Sequence, residues 1–215
     1  MKSWTIAILA LILSAPVFAQ TILPIGNSLG GSQRPYQQQD YPAIPASDWI
    51  GGLTFDSLTC NMVYVQLPSL LAWVQRSRPA PTLILNWTGE DDAAHGVPVP
   101  NFLQCLNNTI ALEHSYFPSA IIITPNVLPF PRYRIGRDIT IMQASLVYAY
   151  NAAEAAIAPV DIWNATVELP QGFGIPADWT SPNSDPNENA WHTIDGILRP
   201  LIYGDLGLRL PDEEK

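Results

Sequence analysis

The sequence feature that most constrains the fold is the stretch of residues 21–31, which reads T-I-L-P-I-G-N-S-L-G-G. It begins as a short apolar run of strand length and ends abruptly in a glycine-rich turn, with Ser28 at the corner. A sharp turn after a buried strand exposes such a hydroxyl at the carboxyl edge of a sheet, where backbone amides can point at a developing oxyanion. The stretch therefore predicts a buried strand followed by a candidate nucleophile.

Further apolar runs alternate with helical patterns along the chain. Residues 82–87 form a continuous apolar run, as expected of a parallel strand covered on both faces, and 120–125 and 160–163 are two more candidate strands. Helical spacing of apolar residues predicts helices over 68–76, 102–116, 137–158 and 194–206, the last broken near Pro200. The proline-rich segments 32–48 and 169–189 are predicted to be loops, the first of them near the serine turn. This alternation predicts a three-layer α/β/α fold with a mostly parallel central sheet, as in flavodoxin-like proteins.

The beginning of the chain has the pattern of a secretory signal peptide. Residues 1–19 carry one lysine, an apolar core and then Val17-Phe18-Ala19, which suits cleavage before Gln20. We therefore expect a secreted protein with a single domain over 20–215 and no membrane span. The net charge of −9 becomes −10 when that lysine is removed, which argues against nucleic acid as a partner.

The cysteines and sequons fit this compartment. The only two cysteines, Cys60 and Cys105, are expected to form one disulfide in an oxidising environment. Neither they nor the three histidines show a metal-ligand pattern, so no metal or other cofactor is expected. Of three N-glycosylation sequons, the one at Asn107 lies on a predicted helix surface and is the best acceptor, whereas Asn86 ends a buried strand.

Four short blocks, in order along the chain, resemble those of the SGNH (GDSL-type) hydrolases. The first is Gly26-Asn27-Ser28-Leu29 after its strand, and the second is the glycine pair Gly51-Gly52. The third, Gly89-Glu90-Asp91-Asp92, follows a helix, a proline and a buried strand, and the last is Asn189-Ala190-Trp191-His192. The chain departs from the family at three positions, with Asn27 for Asp, Asp91 for Asn and Asn189 for Asp.

The resemblance implies a serine esterase site. Ser28 would be the nucleophile and His192 the base, while Gly51 or Gly52 and the residue at position 91 would belong to the oxyanion hole. An Asn189 carbonyl can orient the imidazole but cannot balance its charge, so Asp185, Glu188 or a backbone carbonyl stay open as alternatives. An ionised Asp91 would repel the oxyanion.

These features lead to three functional hypotheses. The first is a secreted, monomeric esterase that removes acyl groups such as acetyl from a carbohydrate or another small ester, with Trp49 and Trp191 as aromatic platforms for sugar rings. The second is a catalytically decayed member of the same fold that binds glycans or proteins, which the changes at Asp91 and Asn189 favour. The third is a lipid esterase, for which the sequence offers no amphipathic lid helix.

Overall fold

The computed structural model describes residues 20–26, 37–51, 53–54, 58–125, 149–150 and 188–208. Its strands are β1 (Ile22–Gly26), β2 (Leu53–Thr54), β3 (Leu83–Trp87) and β4 (Ile121–Ile123). Its helices are α1 (Gln37–Asp40), α2 (Cys60–Ser77), α3 (Glu90–Ala94), α4 (Val99–Tyr116) and α5 (Glu188–Leu206), and a 3-10 turn covers Ala46–Asp48.

The described strands form one parallel sheet in the order β2-β1-β3-β4. The register aligns the ends of three strands, because Gly26 pairs with both Thr54 and Trp87. Their carboxyl ends therefore meet at one edge of the sheet, the position at which open parallel sheets bind ligands.

Both faces of this sheet are covered, which explains why β1 and β3 are apolar throughout. Alternate residues of a strand point to opposite faces. Ile22 belongs to a core cluster with the α5 residues Ile194 and Leu198, whereas its neighbour Leu23 belongs to a cluster with Leu67 of α2. The predicted three-layer α/β/α fold with a parallel sheet is thereby confirmed.

Helix α2 begins eight residues before the predicted start at Pro68. The side chain of Asp92, which follows β3, accepts a hydrogen bond from the backbone amide of Cys60 at 2.8 Å and so caps the first turn. Pro68 interrupts the backbone hydrogen bonds inside the helix. Buried side chains on both sides of it, Val63 and Leu71, pack the helix onto the sheet regardless.

Helix α5 is also longer than predicted, since it begins at Glu188 and continues through Pro200. Leu198 and Ile202, on either side of that proline, are fully buried against the sheet. Packing therefore keeps the helix continuous where local propensity alone would end it.

The other predicted elements lie close to their expected positions or outside the described residues. Helix α4 begins three residues before the predicted Phe102, and β4 is shorter than the predicted 120–125. The predicted loop 32–48 contains α1 and the 3-10 turn. The predicted strand 160–163 and most of the predicted helix 137–158 lie outside the described residues, as does the predicted signal peptide.

The predicted disulfide between Cys60 and Cys105 is present and joins the start of α2 to α4. On the chain-entropy estimate, such a link stabilises the fold by roughly 4 kcal/mol through the unfolded state. Within the described ranges, none of the helices combines the length and the apolar character needed to cross a lipid bilayer.

Candidate active site

The carboxyl end of β1 has space for glycine alone. Gly26 has a φ of 147°, and a Cβ built on it would lie 1.7 Å from the backbone oxygen of Trp87 on β3. Any other side chain would force the two strands apart. The serine turn that follows, including Ser28, lies outside the described residues. Its strand nevertheless delivers the chain to the edge at which β1 and β3 end together.

Helix α5 brings His192 to this same edge. The residue before it, Trp191, is fully buried, and its ring packs edge-on against Trp87 with the ring centroids 5.5 Å apart. Because Trp87 is the last residue of β3 and pairs with Gly26, the first turns of α5 are held at the carboxyl edge of the sheet. The imidazole of His192 itself remains partly exposed.

His192 is paired with Asp40, an acid that lies outside the four sequence blocks. Its Nδ1 atom lies 2.6 Å from Oδ1 of Asp40, the last residue of α1. A carboxylate can only accept a hydrogen bond, so Nδ1 carries a proton, and in the neutral imidazole Nε2 then keeps the lone pair. The side-chain amide nitrogen of Gln39, which can only donate, lies 3.5 Å from Nε2 and agrees with this tautomer. A neutral imidazole of this form is ready to act as a general base at Nε2.

The roles considered above for Asn189, Asp185, Glu188 and a backbone carbonyl in orienting His192 stay predictions. Asp185 lies outside the described residues, and of Glu188 and Asn189 the structure describes only the helical backbone. A backbone carbonyl is not needed, because Asp40 already occupies Nδ1. One sequence signal could have indicated Asp40: it is the first acidic residue of the whole chain and lies in the segment predicted to be near the site.

The candidate oxyanion-hole residues are only partly placed. Gly52 lies outside the described residues, and Gly51 precedes β2, whose last residue, Thr54, is level with Gly26. Before β2, Trp49 forms an isolated parallel bridge with Ile22, at the start of β1. The register therefore sets Gly51 short of the carboxyl edge, and the role predicted for the glycine pair stays a prediction.

Asp91 lies close to the carboxyl edge, in the short helix α3 that follows β3 directly. Its side chain is buried, and its backbone carbonyl oxygen accepts the amide of His95 at 2.9 Å. Burial and the neighbouring charge of Asp91 raise the pKa of Asp92 to about 6, although its hydrogen bond from Cys60 opposes the shift. Buried acidic residues thus follow β3 in the chain, where the sequence block of the family has an amide at position 91.

Another buried acid, Glu113, contacts β3 at Asn86, one residue before the carboxyl end of the strand. Glu113 of α4 is fully buried, and burial raises its pKa to about 8 even though it accepts a hydrogen bond from the side-chain amide of Asn86 at 3.0 Å. At neutral pH the carboxyl is therefore predominantly protonated. Asn86 is itself fully buried, as predicted, so its sequon is closed in the folded protein.

The two tryptophans predicted to contact sugar rings differ in their surroundings. Trp49 is half-buried beside Tyr41, with ring centroids 5.3 Å apart, and keeps an accessible part. Trp191 has no exposed surface, because its ring fills the core against Trp87. The structure therefore corrects the prediction for Trp191, which anchors α5 and has no surface to offer a ligand.

Two other predictions concern the periphery of the domain. Asn107 is exposed on α4, where its side-chain amide donates to the carbonyl oxygen of Leu103 at 3.0 Å. Among the described side chains, no group of three histidine, cysteine or acidic residues is arranged to hold a metal ion.

Neither a family model nor a curated protein sequence matches this chain. Solved structures do resemble it. A GDSL-like lipase from Bacteroides thetaiotaomicron is 15% identical with a TM-score of 0.67, and the match covers 92% of this chain and 95% of that one. A lipase/acylhydrolase from Enterococcus faecalis is 14% identical with a TM-score of 0.63 over 86% of this chain and 96% of that one.

A carbohydrate esterase family 3 structure from Talaromyces cellulolyticus is similar to the same extent. It is 12% identical with a TM-score of 0.64, and the match covers 87% of this chain and 98% of that one. The similarity thus spans nearly the full length of each protein, at an identity that reflects the shared fold. The chain has the three-layer fold of the SGNH (GDSL-type) hydrolases, as the order of its sequence blocks predicts.

Proposed function

We propose that this protein is a secreted serine esterase that removes acyl groups from a carbohydrate or a similar polar alcohol. The observation that carries the proposal is the 2.6 Å hydrogen bond between Nδ1 of His192 and the carboxylate of Asp40. It gives His192 an acid partner in place of Asn189, and with the proton on Nδ1 the nitrogen that would accept a proton is Nε2. With Ser28 at the corner after β1, the three residues would form a triad on the fold of the acylhydrolases.

The chemistry would proceed in two acyl transfers. Ser28 Oγ attacks the ester carbonyl carbon while Nε2 of His192 takes the hydroxyl proton, and Asp40 stabilises the resulting imidazolium. The bond between the carbonyl carbon and the alcohol oxygen then breaks, and His192 gives its proton to that oxygen. Water repeats the attack on the acyl-enzyme, which releases the carboxylic acid and restores Ser28.

The developing negative charge on the carbonyl oxygen needs hydrogen-bond donors. The backbone amide of Ser28 and one amide of the Gly51-Gly52 pair are the proposed donors. The buried Asp91 supplies no amide at the position where the family has one, and loss of a single donor typically lowers kcat by about 10²–10³. We therefore expect a slow enzyme with intact nucleophile activation.

The preference for a polar alcohol is supported by the groups around His192. Nε2, which would protonate the leaving oxygen, is bordered by the exposed amide of Gln39. Trp49 is half-buried and packs edge-on against Tyr41, the residue after Asp40. Both kinds of group suit sugar hydroxyls and rings. A structurally similar protein is itself a carbohydrate esterase.

A second candidate function is a binding module with a decayed site. The buried acids Glu90, Asp91 and Asp92 at the end of β3 favour it, since negative charge there opposes an oxyanion. Such a module would bind glycans or proteins at the same edge without turning over an ester.

Hydrolysis of p-nitrophenyl acetate by the secreted protein tests the first proposal. Activity should disappear in Ser28→Ala and His192→Asn and persist in His95→Asn, which removes an exposed histidine near Asp91. An acetylated xylose should then be a better substrate than a long-chain p-nitrophenyl ester. Activity that survives Ser28→Ala would refute the proposed nucleophile. Inert wild-type protein that still binds an acetylated glycan would favour the binding module.

A further inference from the structure

We infer that Tyr41 is a positioning residue for this site: its buried hydrogen bond to Asp195 holds α1 against α5 so that Asp40 meets His192. The inference rests on the proposed function for its kinetic consequence only. Its structural content, the fixed orientation of the imidazole, can be measured without any substrate.

Two neighbouring side-chain contacts join residues 40–41 to residues 192–195 of α5. Tyr41 follows Asp40 directly, and Asp195 lies three residues after His192, on the same face of α5. The Tyr41 hydroxyl donates to Oδ1 of Asp195 at 2.9 Å. The contact between Tyr41 and Asp195 thus lies beside the contact between Asp40 and His192. It is one residue further along the chain from α1 and about one turn further along α5.

Two more contacts continue the same series. The Arg199 guanidinium donates from Nη1 to the backbone oxygen of Asp40 at 3.2 Å, and the backbone amide of Ala43 donates to the hydroxyl of Tyr203 at 3.1 Å. His192, Asp195, Arg199 and Tyr203 are spaced by three or four residues, so they line one stripe of α5. This stripe holds the segment from Asp40 to Ala43, of which only Asp40 belongs to a helix, the four-residue α1.

Within the series, the bond between Tyr41 and Asp195 is the sheltered one. Both residues are fully buried, whereas His192 and Asp40 keep some exposure and meet solvent. Burial and the adjacent carboxylate of Asp195 raise the pKa of Tyr41 well above its usual value, so the hydroxyl stays a donor throughout any assay. Water cannot compete for a hydrogen bond that is fully buried, whereas it can compete for one that is partly exposed. We therefore assign the placement of α1 to Tyr41 and the chemistry to its neighbour Asp40.

The test combines histidine-selective ¹⁵N NMR with kinetics on Tyr41→Phe. In wild type, His192 should populate the tautomer with the proton on Nδ1, and in Tyr41→Phe it should become a mixture of tautomers. With p-nitrophenyl acetate, kcat should fall by about tenfold with little change in KM, since misplacement of a catalytic group by 1 Å can cost about 10²-fold. Tyr150→Phe is the matched control, because that buried tyrosine donates to the carbonyl oxygen of Val97 in a different core cluster.

Loss of stability must be separated from loss of position. The double variant Tyr41→Phe with Asp195→Leu replaces both partners by apolar groups, which is often close to neutral for stability. It should fold, and it should still show mixed tautomers and a low kcat. Recovery of the single tautomer in this variant, or an equal loss in Tyr150→Phe, would overturn the inference. A wild-type protein without esterase activity would refute the proposed function and leave the tautomer result to decide this inference.

Discussion

His192 and Asp40 lie 152 positions apart in the chain, yet Nδ1 of one and Oδ1 of the other are separated by 2.6 Å. Helix α5 contributes the histidine and the short helix α1 contributes the acid. In the block pattern of the family the orienting acid is three residues before the histidine, a position that holds Asn189 here. The pairing therefore brings an acid to His192 from another segment of the chain, as the proposed mechanism requires.

Asp40→Asn should lower kcat toward p-nitrophenyl acetate by about 10²-fold or more, because an amide can hold the imidazole in the wrong tautomer and cannot balance its charge. Asn189→Asp in the otherwise unchanged protein should have little effect, because Asp40 already occupies Nδ1. Steady-state kinetics of the two variants side by side will check this. Equal activities would show that Asp40 does not orient the base.

Asp91→Asn should raise kcat by about tenfold or more, since it restores a donor at nearly constant volume where the oxyanion develops. KM should change less, because a neutral ester in the ground state barely senses the charge. Asp48→Asn, which alters a partly exposed acid on the 3-10 turn, is the control for net charge. An Asp91→Asn protein with unchanged or lower activity would make Asp91 a structural acid.

Glu113 should make the protein less stable as the pH rises. Its pKa is about 8 in the folded protein, against an ordinary value of 4.5 that applies to the unfolded chain. The folded state therefore binds more protons between these two pH values, and the free energy of unfolding falls from pH 4.5 to about 8. Each pKa unit corresponds to about 1.4 kcal/mol, so the loss can reach several kcal/mol. Glu113→Gln keeps an acceptor for Asn86 and should flatten this part of the profile.

Urea unfolding of the disulfide-intact protein at pH 5 and pH 8 will measure the effect of Glu113→Gln. Asp205→Asn, at an exposed position on α5, should leave the difference between the two pH values as in wild type. A wild-type stability that does not fall between the two pH values would contradict the burial of a protonated Glu113.

Gly26→Ala should unfold the protein or destabilise it by several kcal/mol, because the new methyl group would collide with the backbone of Trp87 in a conformation that L-residues rarely adopt. Gly204→Ala on α5 is the matched control. Apart from its chain neighbours and the backbone of its own helix, no heavy atom lies within 4 Å of its Cβ position, and the change should stabilise the helix by about 1 kcal/mol. Thermal unfolding followed by circular dichroism separates the two, and a tolerated Gly26→Ala would refute the close approach of β1 and β3.

Asn107 should carry an N-glycan when the protein passes through a eukaryotic secretory pathway, because its side chain is exposed on α4. Asn86 should remain unmodified, since it is fully buried and bonded to Glu113. Peptide mass spectrometry before and after glycosidase treatment checks both sites in one experiment. A glycan found on Asn86 would be incompatible with the described packing of β3.

The sequence by itself determined the layers of the fold and the order of the blocks. Continuous apolar runs of strand length, such as residues 82–87, are typical of strands covered on both faces, and their alternation with helical patterns predicts a parallel α/β sheet. The glycine at the end of β1 and the single pair of cysteines are equally local signals. They predict the carboxyl edge and the disulfide, and the order of the blocks predicts His192 as a site residue.

Only the tertiary structure decided which residues meet. Asp40 reaches His192, Asp92 caps α2 eight residues before Pro68, and Trp191 enters the core beside Trp87 because packing of helices on the sheet brings distant segments together. No local pattern encodes these pairings, since each partner is an ordinary acid or aromatic in its own segment. The physical cause of these pairings is the burial of the apolar helix faces against the sheet. This burial fixes where the helices lie and thereby determines which polar groups come together.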